Sequence, residues 1–265
     1  MKLENHNALI TGASAGIGRE FARQLAGRAR SLILVARRED RLNELRAELE
    51  QQYPNITVFV HKTDLADPAQ LDELLAWLDH ENIGIDLLIN NAGLGDSGSF
   101  ATGDPVRNEQ MTLVNVVALT KLTRHLLPRM IARRRGGILN VSSSAGFLPI
   151  PDFAVYAATK AYVTSFSEAL RTELRATGVS VCALCPGPVH TEFQEVSGRP
   201  GAQPDTGPEF VFVSVERVVR DALAALQRNR PLVIPGFPMK LGIFLVRMTP
   251  MPVLRLLSQL APRRG

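Results

Sequence analysis

The chain has 265 residues, 45% hydrophobic and 21% charged, which suits an ordinary globular protein built as one α/β domain. Thirty basic residues stand against 26 acidic ones for a net charge of +4, and no compact basic patch or recognition motif accompanies that charge, so no nucleic-acid partner is expected. The start MKLENHN runs into a glycine motif within about a dozen residues, too short for a secretory signal, so the mature protein is expected to begin here.

In chain order, a strand is predicted at Ala8 to Ile10, then TGASAGIG, then a helical pattern carrying Ile17, Phe21 and Leu25. Gly12, Gly16 and Gly18 let the backbone turn tightly and approach a pyrophosphate, which can sit on the unpaired N–H groups of the helix N-terminus. Next come a strand at Leu32 to Ala36, a helix at Glu39 to Gln52, a strand at Thr57 to Val60, a helix at Ala69 to His80 and a strand at Leu87 to Asn90. The second half predicts helices at Asn108 to Arg133, Phe153 to Thr177 and Val215 to Arg228. Strands at Ile138 to Val141, Val179 to Leu184 and Leu232 to Ile234 lie between and after them. Near-continuous apolar runs such as SLILVA and IDLLIN are what a parallel sheet covered on both faces requires. With no internal repeat and no linker, residues 1 to 265 are expected to form one α/β domain, a Rossmann-like doubly wound parallel sheet of about seven strands flanked by helices.

Tyr156 and Lys160 stand at i and i+4 in VYAATKAY, the spacing that brings two side chains together on one helix face. A free tyrosine titrates near ~10, and a cation within a few ångströms favours the phenolate, so the pair reads as a proton-transfer device. Cys182 and Cys185 form a CxxC inside a predicted buried strand, where positions three apart face opposite sides, so neither redox nor metal chemistry is expected of them. The histidines at 6, 61, 80, 125 and 190 have no ligand spacing, and no metal is predicted.

Taken in order, TGASAGIG (11 to 18), NNAG (90 to 93), NVSSSAG (from Asn140), YAATK (from Tyr156) and PGPVHT (186 to 191) resemble the short-chain dehydrogenase/reductase family. Ser143 lies thirteen residues before Tyr156, the family's separation between its catalytic serine and tyrosine, whereas Ser142 and Ser144 read as turn residues. The resemblance implies a catalytic set of Asn115, Ser143, Tyr156 and Lys160, with Ser143 and Tyr156 also meeting the substrate. Tyr156 would be the general acid in reduction, Lys160 would lower its pKa and grip the nicotinamide ribose, and Ser143 would donate to the substrate oxygen. Asn115 would hold a water that extends the proton relay.

For the cofactor, the resemblance implies Gly12, Ser14, Gly16, Ile17 and Gly18 at the phosphates and Asp64 and Leu65 at the adenine. It also implies Asn91, Ala92 and Gly93 beside the ribose, Val189 and Thr191 at the carboxamide, and Tyr156 and Lys160 at the nicotinamide end. In LILVARRED, Ala36 replaces the acid usual in NAD-dependent relatives, and Arg37, assisted by Arg38, can pair with a 2′-phosphate. NADP(H) is therefore favoured over NAD(H). An NAD-linked alcohol dehydrogenase is the closer alternative, and a non-catalytic NADPH sensor the more distant one.

Residues 188 to 212 are long and rich in turn formers and are expected to make a substrate lid. Phe193, Phe210, Val211 and Phe212, with Phe147, Leu148, Ile150 and Phe153, suggest an apolar pocket for a small-to-medium carbonyl or alcohol. Residues 238 to 265 carry Lys240, Arg247, Arg255, Arg263 and Arg264 and no acid, which leaves residues 1 to 237 at a net charge of −1. Pro250 and Pro252 divide that tail into two short amphipathic helices, with Ile243, Val246 and Leu245, then Leu254, Leu257 and Leu260, facing one way. Packing on the body or a sister subunit and contact with a membrane surface are the two readings of the tail. A homodimer or homotetramer is implied by the family, and the expected location is the cytoplasm, peripheral to a membrane if the second reading holds.

Overall fold

The computed structural model describes residues 3 to 197 and 209 to 260, with the side chains of 194 to 196 and 257 to 260 set aside. Its centre is a sheet of seven parallel strands in the order β3-β2-β1-β4-β5-β6-β7. These are β1 (Asn7–Thr11), β2 (Ser31–Ala36), β3 (Thr57–Lys62), β4 (Leu87–Asn90), β5 (Gly136–Val141), β6 (Val179–Leu184) and β7 (Leu232–Val233). The chain winds outward from β1 through β2 to β3, then returns to place β4 on the other flank of β1. The loops leaving β1 and β4 therefore diverge, and a crevice opens between them at the carboxyl ends of the strands.

Alternation along the strands divides their apolar side chains between two faces. Ala8, Ile10, Leu32 and Leu34 pack under α1 (Gly16–Ala26) and α2 (Glu39–Gln52), and α8 (Val215–Gln227) covers the same face. Leu9, Ile33, Val35 and Leu88 pack on the opposite face under α3 (Pro68–His80), α4 (Pro105–Thr112), α5 (Leu119–Ala132) and α6 (Ala154–Glu173). Asp67, Asp104 and Ser214 start α3, α4 and α8 by accepting backbone N–H groups of the first turn, and Pro68 and Pro105 follow the first two caps.

The helix expected as one piece from Asn108 to Arg133 begins at Pro105, because Asp104 caps it, and is interrupted by a π-helical segment at Leu113–Ala118. Extra residues in such a turn push side chains out of helical register, and Asn115 is one of them. The helix expected to reach Thr177 ends at Glu173, before a turn in which Ala176 and Gly178 have φ values of 65° and 85°. Strand β7 stops at Val233 rather than Ile234.

After β6 come α7 (Glu192–Ser197), and after β7 the tail helices α9 (Phe237–Met248) and α10 (Met251–Leu260). Part of the expected lid, 198 to 208, and the end of the tail, 261 to 265, lie outside the described residues. Two tail helices form as expected, but their faces need one correction. Ile243 is buried and Val246 half-buried, whereas Leu245 is exposed beside Phe237, Leu241, Phe244 and Met248. Residues two apart on a helix point about 200° apart, so Ile243 and Leu245 cannot share a face. Among the described residues, no helix is long and apolar enough to cross a membrane.

Candidate active site

The crevice is built first by backbone ties between the loops after β1 and β4. The Thr11 hydroxyl accepts the N–H groups of Asn91 and Ala92, each at 3.0 Å, and the Asn91 amide returns bonds to the carbonyls of Thr11 and Gly12. Gly12 has φ 66°, and a Cβ on it would sit 2.9 Å from Ala92 Cα, so only glycine fits. A Cβ on Gly18 would run into the Gly12 carbonyl oxygen. Between them, Ala15 opens α1 without a side-chain cap, and the first turn has no acid, so the N-terminal N–H groups of Gly16, Ile17 and Gly18 face the crevice ready for an anion.

At the outer end of the crevice, Arg38 donates through Nε and Nη2 to Ser14 Oγ at 3.4 and 3.3 Å. Arg37, the arginine expected to dominate, is exposed, and its neighbour is the one brought to the glycine loop. Arg41, one helical turn on, joins the same corner through Glu192. Asp64 receives the Ala66 N–H at 3.0 Å in the turn before α3, while the Leu65 side chain is buried in the core beneath, so only its backbone is placed to face a base. On the opposite wall Val189 is buried, and the Thr191 methyl lies 3.3 Å from the point where a Gly16 Cβ would be.

At the inner end, β5 delivers Ser143 just past Val141, and α6 delivers Tyr156 and Lys160. Ser143 Oγ accepts from the Ala145 N–H at 3.1 Å, which orients the hydroxyl at the start of a short 3-10 turn. Ser142 instead bonds the Lys160 carbonyl and Thr164, locking β5 to α6. Lys160 is buried, and its ammonium donates to the Val141 carbonyl at 2.8 Å. Asn115, turned inward by the π segment, accepts the Leu94 N–H and donates to the Leu94 carbonyl and to Thr159. Gly93 lies between the two: a Cβ there would be 3.3 Å from Lys160 Nζ and 3.4 Å from Asn115 Oδ1.

The electrostatics differ from the expectation in one respect. Burial pushes the Tyr156 phenol up to about 12, and a hydrogen bond with the Ser143 hydroxyl pulls the other way. Burial also lowers Lys160 to about 8. The ammonium lies 5.7 Å from the phenol ring centroid and spends a bond on Val141, so in the free protein Lys160 does not bring the phenol towards neutral pH. At pH 7 Tyr156 is a neutral hydrogen-bond and proton donor.

Every expected residue of the catalytic set is thus gathered at the inner end. The residues not foreseen are Thr11, which ties the two loops, Thr159, which holds Asn115, and the pair Arg41 and Glu192. Arg41 alone left a trace, three positions beyond Arg38 on a helix whose i and i+3 residues are neighbours. A bare glycine cradle, an uncapped helix N-terminus and a serine with two arginines at one end suit a dinucleotide, with Tyr156 and Lys160 at the other.

The family model described as short chain dehydrogenase matches residues 6 to 200. The chain is a short-chain dehydrogenase. The dehydrogenase is similar to the NADP-dependent 3-hydroxy acid dehydrogenase of Escherichia coli, with 39% identity over 71% of this chain and 75% of that one. Among solved structures it is similar to a short-chain dehydrogenase from Sphingobium yanoikuyae in complex with NADPH, with 32% identity, a TM-score of 0.81 and 98% of each chain covered. It is also similar to a bulky-bulky ketone specific alcohol dehydrogenase from Comamonas testosteroni, with 29% identity, a TM-score of 0.78, and 98% of this chain and 96% of that one covered. The dehydrogenase is accordingly an NAD(P)-dependent oxidoreductase acting between alcohol and carbonyl groups.

Burial of Lys160 has a stability consequence. Burial holds Lys160 at about 8 when folded, below the ordinary lysine value of 10.5, so between these values the unfolded chain binds more protons and stability rises with pH. Lys160→Met is expected to be more stable than wild type at pH 7 by about 1 to 3 kcal/mol, with the gain shrinking by pH 9.5. Urea unfolding at both pH values checks this, and a Met variant no more stable than wild type at pH 7 refutes the burial cost.

Proposed function

We propose that the dehydrogenase is an NADP(H)-dependent carbonyl reductase and alcohol dehydrogenase, with Tyr156 as general acid and base towards an apolar substrate. The observation that carries the reading is the convergence of Ser143, Tyr156 and Lys160 at the inner end of a crevice whose outer end holds Ser14 and Arg38. NADPH, when bound, supplies the hydride. Gly12, Gly16, Ile17 and Gly18 receive the pyrophosphate on backbone N–H groups, and Asn91, Ala92 and Gly93 line the ribose side. Thr191 and Val189 hold the carboxamide end.

Ser143 donates to the substrate oxygen, and Tyr156 gives that oxygen its proton as negative charge develops there. A phenol held at about 12 is fully protonated at neutral pH, the form reduction requires. Lys160 would hold the nicotinamide ribose and, through its charge, stabilise the phenolate left behind. Asn115, clamped by Leu94 and Thr159, holds the water that resupplies the proton. The rings of Phe153 and Phe193 flank Tyr156 with centroids 6.3 and 5.7 Å away, which favours an apolar group beside the reacting carbon. Phe210 is exposed and Phe212 stacks on His190, so we assign neither to the pocket wall.

The same reading includes a homodimer or homotetramer. Beside α4 and α6, Phe100, Val116, Val155 and Ala158 line an open apolar groove of about 450 Å³, and Val106, Val117 and Tyr162 are exposed nearby. We keep the protein in the cytoplasm and assign the outer face of α9 to an anionic membrane surface. Its apolar residues Phe237, Leu241, Phe244, Leu245 and Met248 are exposed, with Lys240 at their edge, while Arg247 lies over the Phe147 ring.

Tyr156→Phe is expected to leave less than a tenth of wild-type kcat for NADPH-dependent ketone reduction, with NADPH binding close to wild type by fluorescence titration. Retention of more activity than that removes Tyr156 from the acid role. Arg38→Ala is expected to lower kcat/KM for NADPH about ten- to a hundredfold and to leave NADH kinetics nearly unchanged. Arg37→Ala should have the smaller effect, because only Arg38 meets Ser14. Equal losses with both cofactors, or a wild type that prefers NADH, contradicts the NADP(H) assignment. For the tail, the intact protein should co-sediment with phosphatidylglycerol vesicles and not with phosphatidylcholine ones, and Leu241→Glu with Phe244→Glu should abolish this at unchanged oligomer mass. No co-sedimentation, or a changed mass, assigns the face to something other than a membrane.

A further inference from the structure

Glu192 opens α7 at the outer end of the crevice. Its carboxylate accepts from Arg38 Nη1 at 2.9 Å and from Arg41 Nη1 at 2.7 and 2.8 Å, one distance for each oxygen. The two guanidiniums hold its carboxyl below the usual range. Arg38 is the side chain that also bonds Ser14, so an acid of the chain itself occupies donors suited to a phosphate. The residues on either side of Glu192 reach the rest of the site. Thr191 lies against Gly16, and Phe193 sits with its ring 5.7 Å from Tyr156 and its edge 2.8 Å from the point where a Gly95 Cβ would be. The far end of α7 is anchored, because Ser97 donates through its N–H and its hydroxyl to the Ser197 carbonyl at 3.1 and 3.3 Å.

We propose that Glu192 is a specificity-determining residue that holds, in the free enzyme, the arginine donors used by the 2′-phosphate of NADPH, so that phosphate entry exchanges with it and releases the leading end of α7 from Tyr156. The inference rests on the NADP(H) reading above. A phosphate monoester carries about −1.5 to −2 charges and three acceptor oxygens, against one charge on the carboxylate, so it wins the arginines, and two anions on one guanidinium repel each other. NADH brings no anion to this corner and leaves the carboxylate in place. Both partners are partly exposed, with side-chain exposures of 41% and 44% for Arg38 and Glu192 and 37% for Arg41. Ion pairs in such settings are weak, which makes the contact exchangeable rather than a permanent lock. With Ser97 holding the other end, the release is a swing of Glu192 and Phe193 that opens room for substrate beside Tyr156, while Thr191, which precedes α7, stays against Gly16.

The test measures binding of adenosine 2′,5′-bisphosphate and of 5′-AMP by calorimetry, and amide hydrogen exchange over 192 to 197, in wild type and Glu192→Gln. The variant should bind the bisphosphate about three- to tenfold tighter and 5′-AMP as before. Its α7 amides, without ligand, should exchange as fast as those of wild type saturated with the bisphosphate. Glu192→Ala should behave the same way, which separates loss of charge from a new amide contact. A wild type that prefers the bisphosphate while Glu192→Gln changes neither its affinity nor α7 exchange overturns the latch alone. A wild type that binds both nucleotides equally overturns the NADP(H) reading and the latch with it.

Discussion

An ammonium group enclosed by protein is the constraint around which this site is arranged. Lys160 is 4% exposed, and a buried charge costs several kcal/mol unless polar groups replace its water. The Val141 carbonyl supplies one such group, and two further elements shape the space around it. Strand β5 ends so that the Val141 carbonyl points at the ammonium, the π segment turns Asn115 inward, and Gly93 withholds the side chain that would separate them. Each of these would be a local defect in an isolated helix, strand or loop. Together they give the lysine a polar niche, and its remaining penalty appears as a pKa near 8.

The same burial acts on Tyr156 with the opposite sign, because an acid is neutral when protonated and a base when deprotonated. Desolvation raises the phenol to about 12 and lowers the lysine to about 8, so the free enzyme disfavours the phenolate and ammonium pair that the chemistry visits. Ser143 works against that bias, since its hydrogen bond lowers the phenol. The backbone N–H of Ala145 orients the Ser143 hydroxyl, so geometry set by β5 and its following turn reaches the acid through one side chain.

What could be read from the sequence follows from how local each cause is. The strands were legible because both faces of a central parallel strand are buried, and β2 therefore appears as the uninterrupted run SLILVA. Tyr156 and Lys160 were legible because the four-residue interval is a property of the helix itself. The π segment was not, since a bond shifted from i−4 to i−5 leaves composition and periodicity almost unchanged, and the partner that Asn115 meets there, Leu94, lies 21 positions away. The sequence also ranked Arg37 ahead of Arg38, whereas Arg38 is the one that meets Ser14. Their order in the chain is clear, but which one turns inward depends on Ser14 and on Glu192, the latter 154 positions away from Arg38. Leu245 was misplaced for a plainer reason, as two positions of a helix turn it about 200° away from the buried Ile243.

Loop position and site geometry then meet in α7. A helix of six residues is only about 9 Å long, so its first residues cannot answer one end of the crevice without moving at the other. Thr191 touches the glycine loop, Glu192 the arginine corner and Phe193 the catalytic tyrosine, three contacts made by three consecutive residues. The body of the dehydrogenase is held by two buried layers on either side of the sheet, whereas the described residues of this segment make an ion-pair corner, a ring contact and an anchored carbonyl. Exposed ion pairs are given up at low free energy while a packed core stays closed. The proposed exchange at Glu192 would therefore couple recognition at the outer end of the crevice to access at the inner end without requiring the sheet to move.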